Sequence, residues 1–193
     1  MTLDPYDLPE EPTPALGTVV EADRGSLPFA LIHGEALVAC AAWALGDAGV
    51  TPVDVGTEWA ELVESGEPLV LHDALCPMTP ATFLAACVAR AVEADTVVAG
   101  VRPVTDTVKH VEGGVVGATV DRDGLVAVAS PVVLPPSVVA ALDRPPGTDF
   151  AALVAALRER FAVELVPAPP EGRRVASEDD VRLLEALTAP SAG

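Results

Sequence analysis

The sequence predicts an α/β fold, and three stretches in a row predict it. Leu69–Leu71 is a short apolar run of the kind that forms a strand buried on both faces. Pro80–Ala94 then places Phe83, Leu84, Cys87, Val88 and Ala91 at helical spacing. Thr96–Val104 is β-branched and reads as a central strand. Strand, helix, strand in this order is a βαβ unit, whose crossover is right-handed by rule. His72-Asp73 follows the first of these strands, where open α/β sheets face their ligand crevice. Asp73 is therefore a candidate site carboxylate. The other reading is that it only hydrogen-bonds its own turn. Thr79-Pro80 offers an N-cap and a first-turn proline for the helix.

The remaining elements follow in order. Residues 1–14 are rich in proline and acid and read as a loose, solvated tail. Residues 15–189 are expected to form one domain. Leu16–Val20 reads as a first strand, and 21–28 as a turn-like link with no Gly-x-Gly spacing and so no phosphate-cradling loop. Glu35–Ala48 is Ala- and Leu-rich and reads as a helix closed by Gly49. Thr57–Ser65 reads as a short helix capped by Thr57. Asp106–Val111 and Val115–Arg122, joined by Glu112-Gly113-Gly114, read as two extended segments around a tight turn. This hairpin, at 105–122, is too polar for a buried sheet, and an arm that pairs with another subunit would explain it. Val126–Ser130 resumes the core as a strand. Pro135–Leu142 and Phe150–Phe161 read as helices, and Val163–Pro167 as a last strand. Ser177 with Asp180 gives a capping-box-like start to a final helix through Thr188, with Val181, Leu183, Leu184 and Leu187 as its apolar positions.

Charge narrows the partners. Eleven Lys and Arg against 29 Asp and Glu leave a net charge of -18, which argues against nucleic acid or an anionic membrane. Any cation near a site therefore carries weight. Cys40, Cys76 and Cys87 are odd in number and lack metal spacing, so they read as free thiols in a reducing cytoplasm. No apolar run reaches the length of a membrane span, and a cytoplasmic protein is expected. His33 and His110 read as isolated surface or turn histidines, and His72 as a helper of strand-end geometry.

Several segments taken together resemble one family. His72-Asp73-Ala74, Pro103-Val104-Thr105-Asp106-Thr107-Val108-Lys109, Thr119-Val120-Asp121-Arg122-Asp123-Gly124-Leu125, Thr148-Asp149 and Asp179-Asp180-Val181 fall in the order and spacing of the 2-C-methyl-D-erythritol 4-phosphate cytidylyltransferase family of the non-mevalonate isoprenoid pathway. The resemblance covers about residues 68–187. It implies a Rossmann-like nucleotidyltransferase fold of the nucleotide-diphospho-sugar transferase type, a three-layer sandwich truncated in its N-terminal part. It also implies a protruding β-arm that interlocks two subunits of a homodimer. Asp73 then matches the family's metal- and nucleotide-facing aspartate. Thr107 and Arg122 match the arm residues that hold methylerythritol phosphate, and Asp106 and Lys109 match the rest of that motif. Arg174 stands for the family's substrate-binding lysine, keeps its charge, and is the catalytic candidate; Mg²⁺ is the implied cofactor of an active member.

The first third departs from the family pattern. The family's glycine-rich loop ends in an arginine and is followed by Pro-Lys, whose lysine contacts the triphosphate. The corresponding stretch here is Glu21–Phe29, shortened, with Phe29 after Pro28. A phenyl ring supplies neither charge nor hydrogen bond to a developing phosphorane, and losing such a donor commonly costs about two to three decades in rate. Val50–Glu67 lacks the family's cytosine-recognising segment and is short for the strand and helix that carry it. Cys76 replaces an arginine after the His-Asp motif. Phosphoryl-type transfer depends on positioning and charge neutralisation. The expectation is therefore a non-catalytic homodimer that binds a phosphorylated metabolite or a partner. The alternative is an active cytidylyltransferase with a remodelled nucleotide site. The pocket beneath Asp73 is expected to be either open or filled by Phe29.

Overall fold

The computed structural model describes residues 12–53, 56–104, 109–119, 121 and 124–189. Its chain order is β1 (Ala15–Val20), β2 (Leu31–Ile32), β3 (Glu35–Ala36), α1 (Leu37–Asp47), β4 (Val50–Pro52), α2 (Trp59–Ser65), β5 (Leu69–Asp73), α3 (Ala81–Ala94), β6 (Val97–Pro103), β7 (Lys109–Glu112), β8 (Val115–Thr119), β9 (Val126–Leu134), α4 (Pro136–Ala141), α5 (Phe150–Arg158), β10 (Val163–Pro167) and α6 (Glu178–Leu187). Six strands make one sheet in the order β10-β6-β9-β5-β1-β4. All its pairings are parallel except those of β9, which runs antiparallel to both β5 and β6.

Why the sheet sits between two helical layers is written in its alternating side chains. Val70 of β5, Val98 of β6 and Val133 of β9 join Phe83, Leu84, Cys87 and Val88 of α3 and Leu45 of α1. Leu69, Leu71, Val97, Ala99, Val132 and Leu134 point the other way, into Val138 and Val139 of α4 and Phe150, Val154 and Leu157 of α5. The result is the three-layer α/β sandwich of the Rossmann-like type. All five residues of β5 are buried, including its end, His72-Asp73.

A third apolar cluster closes the sheet's carboxyl end. Ile32, Leu37, Leu75, Val175, Val181 and Leu184 pack together, fastening α6 over the β2–β3 ladder and the turn after β5. Val175 N–H donates to Leu75 O at 2.8 Å, which fixes the segment before α6 against that turn.

Several local expectations need correction. Thr79 does not cap α3: its hydroxyl donates to Cys76 O at 2.8 Å, and Pro80 occupies the cap position. Thr57 does not cap α2 either, because the helix starts two residues later and Glu58 holds the cap position without a side-chain bond. Glu35 and Ala36 leave α1 to pair with Leu31 and Ile32. The Val50–Glu67 stretch does hold both a strand, β4, and a helix, α2. At α6, Ser177 Oγ accepts from Asp180 N–H as the capping pattern requires, while Leu183 and Leu187 are exposed and only Val181 and Leu184 are buried.

The hairpin forms as β7 and β8, paired antiparallel with each other and with no strand of the main sheet. Gly113 (φ 56°) and Gly114 (φ 80°) make its turn, a left-handed pair that glycine adopts without strain. Val116 to Thr119 are exposed. No described helix is long and apolar enough to cross a membrane.

Candidate functional site

Asp73 lies where the carboxyl end of β5 meets the loops after β1 and before α5. Its carboxylate is surrounded before any ligand arrives. Arg24 Nε donates to Oδ1 and Nη2 to Oδ2, both at 3.1 Å, a two-pronged guanidinium–carboxylate pair. Arg174 Nε donates to Oδ2 at 3.0 Å and Leu75 N–H to Oδ1 at 2.9 Å. Burial alone would raise the Asp73 pKa, but the bonds from Arg24, Leu75 and Arg174 outweigh it and hold the carboxyl below its usual range. Asp73 therefore does more than bond its own turn. It caps its own turn through Leu75, and it is the anion of an ion-pair centre.

The two arginines are not equivalent. Arg24 is 7% exposed and nearly spent: Nη2 also donates to Thr148 O at 2.7 Å and Nη1 to Ala22 O at 3.2 Å, and the guanidinium lies 5.9 Å from the Phe150 ring centroid. Arg174 is 39% exposed, with its Nε on Asp73. A cleft of about 590 Å³ opens beside them, lined by Arg24, Asp73, Thr148, Asp149, Phe150 and Arg174 among others. Asp23 also lines it, so three aspartates face two arginines. Asp149 is occupied as the N-cap of α5, accepting from Ala152 N–H at 3.1 Å, and Asp23 accepts from Thr148 Oγ1 at 2.9 Å.

Behind Asp73, His72 is wholly buried and shares a hydrogen bond between its Nδ1 and Ser130 Oγ, while Asp73 N–H donates to the same oxygen at 3.1 Å. Desolvation, only partly opposed by Asp73, pushes the His72 pKa down to about 4, so its ring is neutral at pH 7. Its Nε2 is buried without a partner among the described residues. Ser130 can sit this close because Gly100 opposes it: a Cβ there would lie 2.3 Å from Ser130 O. His72 thus orients the strand end and is too desolvated to act as a base. Cys76 and Cys87 are buried thiols whose pKa burial raises, and all three cysteines are free.

A divalent metal does not fit this arrangement. Magnesium takes oxygen ligands in near-octahedral geometry, and both Asp73 oxygens already face guanidinium cations. No group of three or more His, Cys, Asp or Glu among the described residues could hold a metal. Asp73 as a metal ligand therefore belongs to a rearranged site rather than to this one.

The structure brings Asp73 and Arg174 together as an ion pair, a contact the sequence did not announce. Lys109, at the root of the arm, is exposed, and its Nζ donates to Thr119 Oγ1 across the hairpin. Asp106, Thr107 and Arg122 lie outside the described residues. Phe29 does not fill the pocket; it is 62% exposed. The residue missed was Arg24, passed over as part of a link. Two signals pointed to it: a chain this poor in cations spends few idly, and the loop of the resembled family ends in an arginine.

Known proteins place these features in context. The 2-C-methyl-D-erythritol 4-phosphate cytidylyltransferase family profile matches residues 49–189. A bifunctional IspD/IspF enzyme of Clavibacter michiganensis is 42% identical over 140 residues, covering 69% of this chain and 33% of the enzyme. A 2-C-methyl-D-erythritol 4-phosphate cytidylyltransferase of Frankia casuarinae is 37% identical over 125 residues, covering 63% of this chain and 46% of that protein. The matched regions are thus less than half the length of either relative. The crystal structure of the Thermus thermophilus cytidylyltransferase superposes with a TM-score of 0.65 at 22% identity, over 90% of this chain and 98% of that one, and speaks to the fold.

Proposed function

The chain belongs to the 2-C-methyl-D-erythritol 4-phosphate cytidylyltransferase family of isoprenoid biosynthesis, and from that premise we propose that it is a catalytically impaired homodimer that binds a phosphorylated small molecule. The observation that carries this reading is the saturation of Asp73. Its charge is neutralised by Arg24 and Arg174 of its own chain, and Arg24 has little left to give a triphosphate. Cytidylyl transfer needs surplus positive charge at the phosphates. Among its described lining residues this cleft sets three aspartates against two arginines.

On the sugar-phosphate side the parts are better kept. Arg174 keeps part of its guanidinium at the surface, and the arm that carries Lys109 pairs with no strand of the main sheet, so a second subunit can pair with it. Asp106, Thr107 and Arg122 supply the remaining contacts by their match to the family's arm.

One observation favours the alternative, an active cytidylyltransferase with a remodelled nucleotide site. The Asp73 cleft has the volume of an ordinary small-molecule pocket. The family normally uses a divalent metal, and Mg²⁺ enters only on this alternative, which requires Arg24 to leave Asp73.

Calorimetric titration of the full chain with methylerythritol phosphate, and thermal melting with and without CTP and Mg²⁺, separate the two, with light scattering for the mass. The expected result is a dimer that binds the sugar phosphate and whose melting temperature ignores CTP. A CTP-dependent rise in melting temperature favours the enzyme, and a monomer removes the role given to the arm.

A further inference from the structure

A second cleft, of about 260 Å³, shares Arg174 and Val128 with the first. It is lined by Arg102, Arg173 and Arg174 together with Pro103, Pro170 and Leu187, and no carboxylate is among its described lining residues. Three of the chain's eleven basic residues meet here, in a protein with 29 acidic ones. In so acidic a chain, chance would bring carboxylates to such a cluster. Ion pairs among the described residues do join Arg24 and Arg174 to Asp73, Arg90 to Glu164, and Arg182 to Glu178 and Asp179, but Arg102 and Arg173 enter none.

The guanidiniums come from two fixed positions. Arg102 leaves the end of β6, and its Nη1 donates to Ala168 O at 2.7 Å, which steadies the fork and leaves other N–H groups unspent. Arg173 and Arg174 lie between buried Gly172 and buried Val175, whose N–H is tied to Leu75 O. Asp180 lies in the field of Arg173, and its pKa is lowered first by the Ala176 N–H bond and to a lesser degree by Arg173. That carboxylate is engaged at the start of α6, accepting from Ala176 N–H at 2.9 Å.

Guanidinium stays protonated at every working pH, so three of them around one concavity repel each other until an anion enters. Planar forks from two directions match the oxygens of a phosphate. The volume lies below the usual range for drug-sized ligands and suits a phosphate with little attached. We propose that this cleft is a second anion site, taking inorganic phosphate or the phosphate of a small monoester between Arg102, Arg173 and Arg174. It deepens the reading above only in sharing Arg174, and Arg102 and Arg173 have no part in that reading.

The test is calorimetric titration of the full chain with inorganic phosphate, against sodium chloride of equal ionic strength, in wild type and in an Arg102→Gln/Arg173→Gln double variant. The expected loss of affinity in the variant is about tenfold or more, the scale of charge-assisted hydrogen bonds. An Arg173→Gln single variant, which leaves the Arg102 bond to Ala168 O in place, should keep a phosphate-free melting temperature equal to wild type or higher and still lose phosphate affinity. A wild type that responds to phosphate no more than to chloride overturns the proposal, as does a variant that binds phosphate unchanged. Methylerythritol phosphate, titrated into the same pair, separates the two claims. Equal binding by both proteins, with no phosphate effect, sinks this site and spares the function proposed above. Phosphate binding lost in the variant, with no sugar-phosphate binding anywhere, does the reverse.

Discussion

Two clefts share Arg174 and treat its charge in opposite ways. Beside Asp73 the guanidinium enters a closed account: one carboxylate, two arginines and a backbone N–H satisfy each other within 3.1 Å. Beside Arg102 and Arg173 the same side chain joins like charges with no lining carboxylate among the described residues. The first cleft is more than twice the volume of the second. Volume alone would rank it the better site. Charge ranks them the other way, because a ligand must break existing pairs in the first and relieves repulsion in the second.

The strongest way to break this contrast is to remove its anion. Asp73→Ala strands Arg24, 7% exposed, without a counter-charge. Breaking a buried pair from one side costs about 3–5 kcal/mol, nearly all from Arg24 since Arg174 is partly solvated. Urea denaturation checks it, and a loss under about 1 kcal/mol would show that Asp73 is not the keystone described.

His72 gives a pH signature of the same enclosure. Its folded pKa of about 4 lies below the unfolded value of 6.5. Above pH 6.5 neither state is protonated and stability is full. As pH falls from 6.5 to 4 only the unfolded chain gains the proton, so stability drops by about 1.4 kcal/mol per unit, about 3 kcal/mol in all. Denaturation between pH 7.5 and 4.5 should show this slope, and His72→Gln should flatten it. Asp73 adds a second loss at lower pH, since its depressed carboxyl stabilises the fold until pH falls through its folded pKa.

Gly100→Ala sharpens the contrast from behind. The added methyl meets Ser130 O at 2.3 Å, so β6 and β9 must part, at a cost of about 1–3 kcal/mol. Ser130 would then move off Asp73 N–H, and histidine NMR should report a changed His72 ring. The smallest effect belongs to the rim. Asp149→Ala removes the α5 cap and costs about 1 kcal/mol by thermal denaturation, without disturbing Asp73.

What the sequence made legible was whatever repeats locally. The apolar run of β5, the helical spacing of α3 and the Ser177 cap each follow from a few neighbouring residues. The strand after the hairpin was legible only as Val126–Ser130, and its buried continuation to Leu134, which feeds both faces of the core, was not. Pairings across long separations were not legible. Arg24 reaches Asp73 over 49 residues and Thr148 over 124, and nothing in a turn-like Asp23-Arg24-Gly25 announces its partner. Arg102 and Arg173 converge only because β10 runs beside β6 and brings the segment after it to that end of the sheet. Thr79 was misread because a hydroxyl before a proline also suits the preceding turn, and there Cys76 O competes for it.

On the proposed function, Asp73 is neutralised by Arg24 and Arg174 of its own chain and is closed to a nucleotide. Pyrophosphate release by the full chain with CTP, methylerythritol phosphate and Mg²⁺ tests it most directly. The expected result is no release above the enzyme-free rate. Turnover at ordinary enzyme rates, about 1 s⁻¹ or faster, would mean that Arg24 yields Asp73 to the reaction, and the closed ion-pair centre would be a resting state only.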